Sequence, residues 1–237
     1  MARKILVIGK SGSGKSTSIY NMNPAETAVI KLANKELPVR GGDKKFGAVY
    51  VTDPTRDLFN PSSKGDSSQL FKELTNEVKR ILTQKPGVKN IIIDDLFYAM
   101  SFENFDKMNI KDFSKYTGIA HTMYKLLMFP DMLTKMEDLT FIYMTHTDID
   151  PKTGETIIKS IGRMIDNQLG VEGLFTVVVE ALAYVPELDT KHMFKVHNTD
   201  GMSVVKTPMG MFEEDYIPND LNLLINTIKE YYNYDGE

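Results

Sequence analysis

The amino-acid sequence predicts an α/β fold with a mainly parallel sheet flanked by helices and a late antiparallel hairpin. Short apolar runs rich in β-branched residues alternate with segments of helical periodicity, as expected for βαβ units. The first apolar run leads directly into a glycine-rich loop. Near the end of the chain an Asp-Gly pair separates two further β-runs, which indicates a hairpin.

The composition fits one globular domain over residues 1–237. The net charge of −4 disfavours a protein whose whole surface binds nucleic acid, so DNA contact would need a local patch or an assembly of subunits. No stretch reaches the roughly 18 apolar residues that span a bilayer, so no membrane partner is expected. The sequence has no cysteine, which excludes disulfides and fits a cytoplasmic location.

Residues 1–89 are predicted to contain three strands and two helices. Residues 4–8 are apolar, as in a buried parallel strand, and residues 15–21 are expected to form a helix after the glycine-rich loop. Residues 27–32 and 47–52 are further β-rich runs. Residues 69–83 carry apolar side chains at helical spacing, after a segment with proline and glycine that is expected to be a loop.

From residue 90 onward, predicted strands again alternate with predicted helices. Apolar and β-branched runs predict strands at 90–95, 140–146 and 175–180. Helices are predicted at 117–136 and 219–232, and residues 157–169 are expected to be helical or partly ordered. The first of these should be kinked near Pro130, because proline lacks the N–H that a helix interior needs.

The late hairpin is predicted from β-runs at 193–196 and 203–206. The residues between them include Asp200-Gly201, a pair that favours tight hairpin turns. The hairpin should add an antiparallel edge to the sheet.

The glycine-rich loop matches the pattern G-x-x-x-x-G-K-[ST] at every fixed position. Glycines let the backbone approach phosphates closely, and their N–H groups bind the anion together with the N-terminus of the following helix. We expect Lys15 to reach the β- and γ-phosphates of ATP, Ser16 to bind Mg²⁺, and Thr17 to lie near the α-phosphate. The residues expected to contact the nucleotide are Gly9, Lys10, Ser11, Gly12, Ser13, Gly14, Lys15, Ser16 and Thr17.

An acidic partner for the magnesium ion follows the apolar run 91–93. Asp94 ends that run, as the Walker B acid ends its strand in nucleotide hydrolases that use such a loop. Asp95 follows directly and could orient and deprotonate the attacking water. Glu36 and Asp53, near the ends of neighbouring strands, are alternatives for this role. For Asp95 itself, the alternative is that it is a helix cap or a solvent-exposed turn residue.

A further polar side chain, His146, ends the strand predicted at 140–146. Ligands of open α/β sheets bind at the carboxyl ends of the strands, so His146 is expected to contact the γ-phosphate. The alternative is a polar strand end with no role in binding. The other histidines do not lie at a spacing that would pair them with another catalytic or metal-binding side chain. We interpret them as structural or exposed: His121, His192 and His197.

The motifs at 9–17, 91–95 and 141–146, in this order, resemble the RecA-type core of P-loop ATPases. More closely, the chain resembles compact RecA-core ATPases of tailed bacteriophages, a group of ATP-binding or AAA-type proteins of which some act in single-strand annealing and recombination. The runs 204–212 and 217–220 resemble the same group. The resemblance covers most of the chain and implies one RecA-like domain over residues 1–237.

The resemblance implies an ATPase that acts in phage DNA recombination or replication, as a homo-oligomer on single-stranded DNA in the host cytoplasm. It implies that Lys206, a basic residue of the late hairpin, reaches the γ-phosphate of a neighbouring subunit. Lys206 thereby joins Lys15, Asp95 and His146, whose catalytic roles are expected from their own positions, as a candidate catalytic residue. The family usually carries a glutamate after its second strand. Here that region reads Leu-Ala-Asn-Lys-Glu over residues 32–36, which leaves the counterpart of that glutamate open.

Two other functions stay open. A nucleotide or small-molecule kinase also uses a P-loop, but such kinases clamp the phosphoryl group with several arginines. The chain has five arginines, and only Arg163 lies in a plausible lid. The other alternative is a nucleotide-dependent binding module with little hydrolysis, which a missing catalytic acid would favour.

A basic stretch after the second predicted strand offers a local site for DNA. It contains Lys31, Lys35, Arg40, Lys44 and Lys45, and a ring of subunits could line a channel with it. The alternative, which we favour for an acidic chain, is an ordinary solvated surface.

Overall fold

Nine strands in the described part of the chain form one sheet. The computed structural model describes residues 2–54, 67–108, 111–112, 114–133, 138–161 and 170–233. The strands are β1 (Arg3–Gly9), β2 (Thr27–Lys31), β3 (Val49–Tyr50), β4 (Asn90–Asp94), β5 (Thr140–Ile149), β6 (Thr156–Ile158), β7 (Val177–Val185), β8 (Thr190–Lys195) and β9 (Tyr216–Pro218).

The strand order is β3-β2-β4-β5-β1-β7-β8-β9, with β6 paired to β5. All pairs from β3 to β7 are parallel, whereas β8 is antiparallel to both of its neighbours. The carboxyl ends of β1, β2, β4 and β5 therefore meet at one edge. There Gly9 lies opposite His146, and Lys31 lies opposite Asp94.

Helices cover both faces of this sheet. The α-helices are α1 (Gly42–Phe46), α2 (Ser67–Gln84), α3 (Phe97–Asp106), α4 (Ser114–Met128) and α5 (Leu221–Tyr232). Helices α2, α3 and α4 pack on one face, and α1, α5 and the 3₁₀ helix Ser16–Asn21 pack on the other. Successive residues of a strand point to opposite faces of the sheet. Because helices cover both faces, the central positions of β1 are all apolar. No helix of the described chain is long and apolar enough to cross a bilayer.

The predicted α/β class, with a mainly parallel sheet flanked by helices, is confirmed. Strands overlap the predictions at 4–8, 27–32, 47–52, 90–95, 140–146, 175–180 and 193–196. Helices overlap the predictions at 69–83, 117–136 and 219–232. The helix predicted at 117–136 begins earlier, at Ser114, and Pro130 lies in the 3₁₀ turn Phe129–Met132 that follows it.

The hairpin is not the one that the sequence predicted. Strands β7 and β8, joined by the turn Pro186–Leu188, form it, and β9 lies on the other side of β8. Residues 203–206 form no strand, and Lys206 pairs in a single bridge with Val178. The side chain of Asn198 bonds to the backbone of Ser203 at both N and O, which directs the chain across to β7.

The helix predicted at 15–21 is present as a 3₁₀ helix over Ser16–Asn21. Two further predictions need correction or fall outside the described residues. Thr156–Ile158 is a strand where a helical or partly ordered segment was predicted to begin. The remainder of that predicted segment, from residue 162, lies outside the described residues, as does most of the loop predicted before α2. Helices α1 and α3 were not predicted, and α3 has buried residues on more than one of its faces.

Candidate functional site

The glycine-rich loop has backbone geometry that side chains would prevent. Gly9 ends β1 with φ +151°, and a Cβ there would lie 2.6 Å from the carbonyl oxygen of Ala181. Gly14 has φ +100°, and a Cβ there would lie 2.3 Å from Nδ2 of Asn219. Packing against backbone therefore requires glycine at position 9. At position 14 the positive φ favours glycine, and a Cβ would displace the side chain of Asn219.

The ammonium group of Lys15 is enclosed by the loop. Its Nζ donates hydrogen bonds to the carbonyl oxygens of Gly9, at 2.7 Å, and Lys10, at 2.8 Å. Burial lowers the pKa of Lys15 to about 8, although the negative charges of Asp95 and Asp94 act to raise it. The amine is therefore still mainly protonated at pH 7, and a bound anion would stabilise its charge further.

Ser16 and Asp94 form the second part of the site. The Ser16 hydroxyl lies 2.9 Å and 3.0 Å from the two carboxyl oxygens of Asp94. Asp94 is the last residue of β4, and its side chain is buried between β2 and β5. Burial and the neighbouring charge of Asp95 raise the pKa of Asp94 to about 6. A cation placed between these oxygens would reverse that shift.

The oxygen donors of Ser16 and Asp94 suit Mg²⁺, which is commonly held by one or two protein oxygens, several waters and the phosphates of a nucleotide. Within the described residues, no group of three or more His, Cys, Asp or Glu side chains could hold a metal ion. The donor set therefore fits a nucleotide-dependent magnesium site and not a cage built by the protein alone.

Asp95 sits in an unusual backbone conformation. Its φ of +62° lies in the left-handed region, which is uncommon for a non-glycine residue although aspartate adopts it more readily than most. Oδ2 of Asp95 lies 2.5 Å from Nζ of Lys35. Burial acts to raise the pKa of Asp95, but the contacts with His146 and Lys35 outweigh it, so the pKa is lowered. Asp95 is therefore ionised at neutral pH.

His146 lies beside Asp95, at the carboxyl end of β5. Its Nε2 is 3.3 Å from Oδ1 of Asp95, which is an ion-pair distance without the angles of a hydrogen bond. The rings of Phe97 and Tyr98 contact the imidazole edge to face, with centroids 6.1 Å and 5.8 Å away. These two aromatic rings from the start of α3 hold the histidine toward Asp95.

One cleft of about 250 Å³ brings most of these groups together. The lining residues are Ser11, Gly12, Gly14, Lys15, Ser16, Thr17, Lys35, Glu36, Pro38, Asp95, His146 and His192. Glu36 thus shares the cleft with Asp95, whereas Asp53 does not line it. Of the alternatives for the water-activating acid, the geometry brings Asp95 and Glu36 to the site.

A larger cleft, of about 470 Å³, lies on the other side of the loop. Lys10, Ser11 and Ser13 form one wall, and buried Glu180 and Lys195 lie in another. This larger cleft does not contain Lys15, Ser16 or Asp95. The residues that the loop motif predicts to act on phosphate therefore line the smaller of the two clefts.

Two other residues with predicted roles, Lys206 and Arg163, are not among the described residues that line the cleft. Lys206 is exposed, pairs through its backbone with Val178, and does not line the cleft of its own chain. Its predicted role in a neighbouring subunit stays a prediction, although the hairpin on which it was placed is absent at residues 203–206. Arg163, the arginine of the predicted lid, lies outside the described residues.

Three residues at the site were missed by sequence reasoning. Lys35 contacts Asp95, His192 lines the cleft, and Nδ2 of Asn219 donates a hydrogen bond to the carbonyl oxygen of Gly14 at 3.0 Å. Lys35 was interpreted as part of a basic surface, and His192 as structural or exposed. No local pattern marks these residues, because strand order and not sequence distance brings them to the loop.

The basic stretch is largely occupied by contacts within the chain. Lys31 is buried and forms an ion pair with Asp43, and Lys35 pairs with Asp95. The ammonium group of Lys45 lies over the ring of Tyr20. Arg40 and Lys44 are exposed, so contact between this stretch and DNA stays a prediction.

Two comparisons with known proteins identified no relative of this chain. A scan against models of protein families gives no match, and a search of curated proteins gives no significant match. The functional assignment therefore rests on the chemistry of the site.

Proposed function

We propose that this protein binds ATP together with Mg²⁺ and hydrolyses it. One observation carries the proposal: the loop, Ser16 bonded to Asp94, and Asp95 beside His146 converge at the carboxyl edge of the sheet. Each of these groups has a distinct task in cleaving a terminal phosphate, and a glycine-rich turn with only a structural role would need none of them.

The loop supplies the binding energy for the phosphates. Its backbone N–H groups would surround the β-phosphate, and Lys15 would exchange its bonds to the carbonyl oxygens of Gly9 and Lys10 for phosphate oxygens. Ser16 and Asp94 would hold Mg²⁺. When bound, the magnesium ion supplies neutralisation of the charge that develops on the phosphate oxygens.

Asp95 is proposed to orient and deprotonate the attacking water. The carboxylate is ionised and is fixed by Lys35 and by its left-handed backbone conformation, as preorganised catalytic groups often are. His146 lies next to Asp95 and is proposed to contact the γ-phosphate. Glu36, in the same cleft, is the second candidate for the base.

A finer proposal is that the fold is RecA-like and that the chain works as a homo-oligomer on single-stranded DNA in phage recombination or replication. The order of the motifs along the chain and their convergence at one edge of the sheet support the RecA-like part. The DNA part rests on the resemblance, because Lys31 and Lys35 are engaged in ion pairs within the chain.

The test is phosphate release from ATP with Mg²⁺, measured with and without single-stranded DNA while assembly is followed by light scattering. Magnesium-dependent release supports the main proposal, and stimulation by DNA in an assembled form supports the finer one. Transfer of the phosphoryl group to a nucleoside monophosphate would contradict hydrolysis and favour a kinase. Tight ATP binding without turnover would favour a binding module.

A further inference from the structure

Strand β8 is irregular at His192. The ladder pairs Leu182 with Met193 and Tyr184 with Lys191, and leaves His192 without a pairing partner between them. The φ of His192 is +56°, a left-handed conformation that costs a histidine about 1–3 kcal/mol. The surrounding strand keeps its register on both sides, so the distortion is local to this residue.

The distortion places the imidazole against the phosphate loop. Nδ1 of His192 lies 3.2 Å from the position that a Cβ of Gly14 would occupy, and the exposed ring lines the cleft. Asn219 fastens the two segments together, because its N–H donates to the carbonyl oxygen of His192 at 3.1 Å and its Nδ2 donates to that of Gly14. The strained residue is therefore held next to the loop by specific bonds.

The position of His192 in the sheet indicates which part of a nucleotide it would meet. Asp94, Asp95 and His146 lie at the ends of β4 and β5, on one side of β1, whereas β8 lies on the other side. The proposed function puts Mg²⁺ and the γ-phosphate on the β4–β5 side. A nucleotide that crosses the loop from there would extend its ribose and base toward His192.

We propose that His192 is a specificity-determining residue that packs its ring on the ribose and base of the bound nucleotide. This inference rests on the proposed function, since the loop itself contacts only phosphates and leaves the base to be recognised elsewhere. An imidazole ring offers a flat face for base stacking and a ring nitrogen for hydrogen bonding. The ligand class is a nucleoside triphosphate, with purines favoured by their larger stacking surface.

The variant His192→Gly separates this role from a structural one. Glycine adopts a positive φ without strain, so the variant should be at least as stable as the wild type in thermal unfolding. A histidine that served only to hold β8 in place would leave the variant less stable. The matched control is His121→Ala, which removes an exposed histidine of α4 that does not line the cleft.

The experiment is titration calorimetry with Mg²⁺ and either ATP or inorganic tripolyphosphate. We expect His192→Gly to weaken ATP binding about tenfold, the loss expected for one stacked base, and to leave tripolyphosphate binding unchanged. The control should bind both ligands like the wild type.

Three results would overturn the inference. If His192→Gly binds ATP as tightly as the wild type, the ring does not contact the nucleoside, while the proposed function still stands. If ATP and tripolyphosphate are weakened equally, the histidine acts on the phosphates or on the loop. If the wild type binds neither ligand, the proposed function fails and this inference fails with it.

Discussion

Two adjacent carboxyl groups, those of Asp94 and Asp95, have pKa values that are shifted in opposite directions. Asp94 is buried and bonded to the neutral hydroxyl of Ser16, so burial dominates and its pKa rises. Asp95 contacts Lys35 and His146, so its pKa falls despite burial. A bound cation would therefore stabilise the charge of Asp94, and Asp95 is ionised at neutral pH, as a proton acceptor must be.

Replacement of Asp94 by asparagine should raise stability at pH 7 and abolish magnesium-dependent nucleotide binding. The pKa of Asp94 rises from 3.8 to about 6 on folding, so between these values the folded protein binds more protons than the unfolded chain. The stability of the wild type relative to the variant should therefore fall as the pH rises through this window, by up to about 3 kcal/mol. Urea unfolding of both proteins at pH 4 and pH 7 measures this relative fall. An equal change of stability in the two proteins would contradict this account of Asp94.

Replacement of Asp95 by asparagine should spare ATP binding and reduce turnover by about 10²–10⁴-fold, the usual contribution of a general base. Asparagine keeps the size of the side chain and tolerates the left-handed backbone better than most residues. Binding is measured by calorimetry, and turnover by phosphate release. The matched variant is Glu36→Gln in the same cleft. Normal turnover in Asp95→Asn with a loss in Glu36→Gln would move the base to Glu36.

Hydrogen bonds link the 3₁₀ helix that follows the loop to the start of α5. The side chain of Asp220 accepts hydrogen bonds from the N–H groups of Asn222 and Leu223, which caps α5. Its other carboxyl oxygen accepts a bond from Nδ2 of Asn21 at 2.7 Å. Since the preceding residue, Asn219, bonds to Gly14, this short segment supports the phosphate loop at both ends of the 3₁₀ helix.

Replacement of Asp220 by alanine should destabilise the protein by about 1–2 kcal/mol, the range for loss of a helix N-cap. The expected mechanism is the loss of the bonds to Asn222 and Leu223 together with the contact to Asn21. Denaturant unfolding measures the change, with Asn226→Ala, an exposed position on the same helix, as the control. Equal stability of the two variants would show that the cap contributes nothing measurable.

Elements with a local sequence pattern could be predicted, whereas the contacts that bring their residues together in the fold could not. Strand β1 and the loop were predicted because a continuous apolar run and the spacing of glycines can be recognised from neighbouring residues alone. The contacts of Lys35 with Asp95 and of Asn219 with Gly14 depend on strand order, which no local pattern encodes. The hairpin prediction failed at 203–206 because side-chain bonds of Asn198 redirect the turn.

A role for Lys206 in a neighbouring subunit would make the assembly the active unit. In that case Lys206→Ala and Lys15→Ala should each abolish turnover alone, and mixing the two should restore part of it. In the mixture, some sites combine an intact Lys15 with an intact Lys206 from the neighbour. Phosphate release from the mixed proteins, compared with each alone, measures the recovery. Full turnover by Lys206→Ala alone, or no recovery on mixing, would contradict this role.

The proposed function depends on the claim that the phosphate loop binds a nucleoside triphosphate, and ATP titration of Lys15→Ala tests it. Titration calorimetry with Mg²⁺ should show binding to the wild type and a loss of at least about 100-fold in the variant, because a buried cation that pairs with phosphate is removed. The variant should remain folded, since burial already disfavours the charge of Lys15. The control Lys79→Ala, at an exposed position on α2, should bind like the wild type. Binding of ATP to Lys15→Ala with wild-type affinity would contradict the claim.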